Sequence, residues 1–186
     1  MKYKIYTEEH GTAHILSEMA IVSKACRLSP SATGKLRLIA EEILELTVRL
    51  FENLRYEFYI ENEKQRFTLN LRTKTLVKSK RTDEETLSLS GNGGTYIKMG
   101  IFGKISGVFE SLLMNGGEYE QLSVPYYNNM GITPYFSLAA YQRKIQKMER
   151  TEEWNCLEKS IIANIAKDVI IGVKNDSVVM ITVIDF

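Results

Sequence analysis

Hydrophobic positions change their spacing several times along the chain, and each change marks a new element. In MKYKIY they alternate, with Tyr3 and Ile5 on one face and Lys2, Lys4 and Tyr6 on the other, which predicts a short strand. Residues 10–25 move to helical spacing through Ile15, Met19 and Val22. CRLSPSATGKL then supplies a helix start, because Ser29 can cap and Pro30 takes the first helical position, where its missing N–H is not needed. From there Leu36, Ile39, Ile43, Leu46, Leu50 and Leu54 recur at three- and four-residue steps, while Lys35, Glu41, Glu42, Glu45, Arg49 and Glu52 cover much of the rest. This is the strongest helical pattern in the chain.

Alternation returns in RYEFYIE, where Tyr56, Phe58 and Ile60 share a face, and in RFTLNLRT, where Phe67, Leu69 and Leu71 do. The polar link NEKQ is short enough to make the pair a hairpin. KTLVKSKRTDEETLSLSGNGG has no sustained period and reads as a connection holding a short helix. IKMGIFGKISGVFESLLM predicts a helix with Ile101, Ile105, Val108, Phe109 and Leu112 inward, although Gly100, Gly103 and Gly107 each cost about 1 kcal/mol there relative to alanine. NGGEYEQLSVPYYNNMGITP is aperiodic and reads as a long loop. Residues 135–168 give two further helices broken near Thr151, with Trp154, Ile161, Ile162 and Ile165 expected in the core. The chain closes with two Val/Ile-rich strands turning at Asn175-Asp176.

Strands gathered in hairpins with helices between them predict an α+β fold: a two-layer α/β sandwich with a mixed, mainly antiparallel sheet and helices on one face. Residues 56–61, 66–73, 168–174 and 177–185 are expected in one sheet, with the helix of residues 30–54 packed on a single face. A length of 186 residues suits one domain, here with an inserted loop and helical segment at about 115–167.

Composition removes several function classes. Lys+Arg 24 against Asp+Glu 23 leaves a net charge of +1, too little to draw in nucleic acid or an acidic membrane by a global field. No apolar run approaches a spanning helix, and MKYKIYTEEH lacks the apolar stretch of a signal peptide, so the expectation is a cytoplasmic protein without membrane contact. Cys26 and Cys156 match no CxxC pattern and are expected as reduced, packed thiols. His10 and His14 are four residues apart, but lack a third ligand nearby in sequence. There is no Gly-x-Ser-x-Gly elbow, and neither cysteine has a recognisable Cys/His context.

SKACRLSPSATGKLRLIAEEILELTVRLFENL followed by the hairpin of residues 56–73 resembles the front half of the histidine-kinase-like (GHKL) ATPases, most in the manner of anti-sigma-factor serine kinases. The likeness spans about residues 1–110 and 168–185 and leaves the insertion between them unaccounted for. It implies an α/β sandwich with an ancestral site for ATP and Mg²⁺. In that family a helix glutamate orients or activates a water or hydroxyl, and an asparagine four residues later holds the Mg²⁺. Placing Glu42 on the glutamate puts Leu46 on the asparagine, and leucine offers no oxygen to a hard cation. Placing Glu41 there makes Glu45 the metal candidate, with two carboxylates crowding the phosphates. A solvated glutamate face on an amphipathic helix accounts for the same residues.

The family's adenine-reading Asp-x-Gly-x-Gly is missing after the second hairpin strand, where NLRTKTLVKSK stands with Arg72, Lys74, Lys78 and Lys80. GNGGTYIKMGIFGK occupies the place of the family's glycine-rich lid. Gly91, Gly93, Gly94 and Gly100, with Lys98 and Lys104, are the candidates for holding phosphates, since a glycine-rich turn into a helix can cradle an anion. It is neither a Walker loop nor a dinucleotide fingerprint. A flexible loop, with the helix glycines permitting close packing, explains it at least as well.

Two readings follow. One is a regulatory or protein-binding module on an ATPase-like scaffold with a degenerate nucleotide site, working through a protein partner. The other is an active ATP-binding protein or serine/threonine kinase of the anti-sigma-factor type. For the first, the loop of residues 115–133, with Tyr119, Tyr126 and Tyr127 among Asn and Gly, is the expected contact surface. An inert insertion, or a segment folded over the vacated cleft, is the alternative for that loop.

Overall fold

The computed structural model describes residues 2–6, 12–50, 56–74, 100–115, 131–148, 155, 157, 160–175 and 177–186, some of them, including 46–50, in backbone alone. The elements are β1 (Lys2–Tyr6), α1 (Thr12–Ala25), α2 (Pro30–Leu50), β2 (Tyr56–Glu63), β3 (Arg66–Lys74), α3 (Gly100–Asn115), β4 (Thr133–Ser137), α4 (Leu138–Lys147), α5 (Ile161–Ile165), β5 (Asp168–Lys174) and β6 (Ser177–Asp185). The fold is α+β, with an antiparallel sheet and several helices.

The start of α2 follows from its sequence. The Ser29 hydroxyl accepts from the Ala32 N–H at 3.2 Å, and Pro30 opens the helix. Ala32, Leu36, Ile39, Ala40, Ile43 and Leu44 are buried, as a stripe of period 3.6 requires, whereas Leu38 on the opposite side is exposed. The preceding helix ends with Leu28 N–H on Ser23 O at 3.0 Å and Arg27 N–H on Lys24 O at 3.1 Å. Those two bonds make a Schellman ending, and they hold Arg27 at a φ of 53°, where glycine is the usual occupant.

Five strands in the order β2-β3-β6-β5-β4 form the body of the sheet, and β1 adds to the free side of β2, giving six. Every pairing is antiparallel, where the sequence led us to expect a mixed, mainly antiparallel sheet. Both predicted hairpins lie in this one sheet, joined along β3 and β6 from Arg66↔Asp185 to Lys74↔Ser177. Their turns take left-handed backbone at Lys64 (φ 60°) and at Asn175 (φ 48°), the latter in the predicted turn. One row of partners, Phe58–Leu71–Met180–Ile171–Phe136, runs through five strands and is buried along its length. Against this face pack Ile15, Met19 and Val22 of α1, the α2 stripe, Ile105, Val108, Phe109 and Leu112 of α3, and Leu138, Ile145 and Ile162.

Three further features depart from the sequence expectation. Residues 133–137, read as the end of a loop and the start of a helix, form the edge strand β4. Pro134 has no N–H to give to a ladder and belongs at such an edge, and Ser137 turns the chain directly into α4 by capping it. Ile161, expected in the core, is exposed, and Ile162 takes the inward position. The sheet also has a second apolar cluster on the side away from the helices, formed by Ile132, Ile170, Val179 and Ile181. β5 and β6 are therefore buried on both faces near their centres, and the unbroken runs VII and VVMI lack the alternation of a half-exposed strand. Gly172 belongs to that second side, and a Cβ there would lie 2.5 Å from Thr133 O and 2.7 Å from Ile132 Cγ2. The missing side chain lets the entry to β4 cross directly over β5.

Candidate functional site

The glutamates singled out in the sequence lie on one continuous stretch of α2. Glu41 receives the Arg37 guanidinium one turn earlier at 2.8 Å, an exposed pair of the kind that decorates solvated helices. Glu42 is half-buried and Glu45 exposed. The helix stays α-helical through position 46, so the residue one turn beyond Glu42 is Leu46. The expected burial of the Leu46 side chain concerns a position described in backbone alone.

The phosphate candidates divide. Gly91, Gly93, Gly94 and Lys98 lie outside the described residues. Gly100 opens α3, and Lys104 follows one turn later with its ammonium 4.4 Å from the centre of the Tyr141 ring on α4. Lys104 is thus engaged with an aromatic face, and Tyr141 itself packs against Phe136 at 6.1 Å between ring centres. The helix glycines were expected to permit close packing. At Gly107 a Cβ would meet nothing within 4 Å, so packing does not demand the glycine there. Most of the tyrosine-bearing loop, residues 116–130, also lies outside the described residues, as do Trp154, Cys156 and His10. Among the described residues no group of three or more His, Cys, Asp or Glu could hold a metal ion, and no helix is long and apolar enough to cross a membrane.

Two polar constellations appear that sequence reasoning missed. At the β4–α4 junction the buried Ser137 hydroxyl lies 3.0 and 3.1 Å from the two Asp168 carboxylate oxygens, and Asp168 also accepts from the Ala139 N–H at 3.0 Å. Ser137 in turn accepts from the Ala140 N–H at 3.1 Å. A serine hydroxyl so committed, with a carboxylate completing the cap at a helix N-terminus, holds structure together and is not poised as a nucleophile.

The second lies where the β2–β3 turn meets the end of β6. Asp185 accepts from Arg66 Nε at 2.8 Å and Nη2 at 3.3 Å, and from Lys167 Nζ at 2.5 Å. The Arg66 guanidinium, and after it the Lys167 ammonium, lowers the Asp185 carboxyl from 3.8 to about 2. Glu63, Lys64, Gln65 and Phe186 complete an open cleft of about 730 Å³. Arg66 and Asp185 are 119 residues apart in sequence and meet only through the β3–β6 register, so no local motif announces them. Compared with known proteins, the chain matches no family model, no curated protein and no solved structure.

Proposed function

We propose that the chain is a regulatory or protein-binding module built on a histidine-kinase-like ATPase scaffold of the anti-sigma-factor manner, without that family's nucleotide chemistry. The order strand, two helices, hairpin and helix, with a closing hairpin after the intervening β4, α4 and α5, supports the scaffold, as does the core that the helices share with the sheet. One observation carries the loss of chemistry. In α2, unbroken from Pro30 to Leu50, the position one turn past Glu42 is a leucine, where a magnesium–phosphate site on this scaffold needs an oxygen or amide side chain. Of the other candidates on that helix, Glu41 pairs with Arg37. A module of this kind acts by presenting surface to a protein partner.

Thermal unfolding with and without nucleotide tests the reading. A ligand present at a hundredfold its Kd stabilises a folded protein by about 2.7 kcal/mol, several degrees for a chain of this size. The melting temperature is expected to stay unchanged in millimolar ATP or ADP with Mg²⁺. A Mg²⁺-dependent rise of several degrees would favour the active ATP-binding or kinase reading instead.

A further inference from the structure

We draw no further inference here: the strongest candidate, the apolar cluster of Ile132, Ile170, Val179 and Ile181 on the sheet face away from the helices, carries nothing because no described residue shows what covers it, and in the open cleft at the β2–β3 turn the Asp185 carboxylate is already held by Arg66 and Lys167.

Discussion

Thr182 stands in the middle of the helix-facing row Ile60–Leu69–Thr182–Val169, fully buried, and its hydroxyl has no hydrogen-bond partner among the described residues. Leaving a buried hydroxyl unsatisfied costs about 1–3 kcal/mol, and valine has the same branched shape without that cost. Thr182→Val is therefore expected to raise the unfolding free energy by about 1 kcal/mol in urea titration. A loss of stability would mean that the hydroxyl has a partner. Asp185 makes the opposite case, a charge made useful by its neighbours. Its folded-state pKa of about 2 lies below the ordinary 3.8, so its contribution is present above 3.8 and disappears as pH falls from 3.8 through about 2. Its partners Arg66 and Lys167 are 41% and 56% exposed, so solvent screening limits the whole cluster to about 0.2–1 kcal/mol. Asp185→Asn should show that deficit in chemical unfolding at neutral pH and converge with the parent protein near pH 2. A deficit that persists at the lowest pH would point to packing rather than charge.

At the level of elements, the glycines separate propensity from packing. Gly34 in α2 and Gly107 in α3 have no atom within 4 Å of an added Cβ, whereas Gly172 in β5 has Thr133 O at 2.5 Å. Gly34→Ala and Gly107→Ala are expected to stabilise by about 0.5–1 kcal/mol each through lost backbone freedom in the unfolded chain. Gly172→Ala should cost about 1–3 kcal/mol, because backbone on the neighbouring strand must move. Equal effects at all three positions in thermal unfolding would contradict this division. The same contrast shows what was legible beforehand. The α2 stripe, its Ser29-Pro30 start and both hairpins could be read because each is encoded by neighbours a few residues apart. The strand β4 could not, because Thr133–Ser137 is short and is held by pairing with β5 about 35 residues later. The second apolar cluster was written in the unbroken hydrophobic runs of β5 and β6, a signal of burial on both faces that an expectation of one helical layer passed over.

For the whole molecule, the sheet order depends on β3 meeting β6, two strands separated by α3, β4, α4, α5 and β5. The two hairpins are local, but their union is not, and it alone brings Arg66 to Asp185. Of the candidate site, the spacing of Leu46 one helical turn after Glu42 was legible, because α2 is continuous through both positions. Gly91, Gly93 and Gly94 lie outside the described residues. The proposed function requires that the chain not bind nucleotide. Isothermal titration with ATP and with ADP, each with and without Mg²⁺, measures it most directly. No saturable heat is expected up to nucleotide concentrations of about 1 mM, which corresponds to binding weaker than about −4 kcal/mol. A saturable isotherm with a micromolar Kd that weakens when Mg²⁺ is withdrawn would contradict the proposed function.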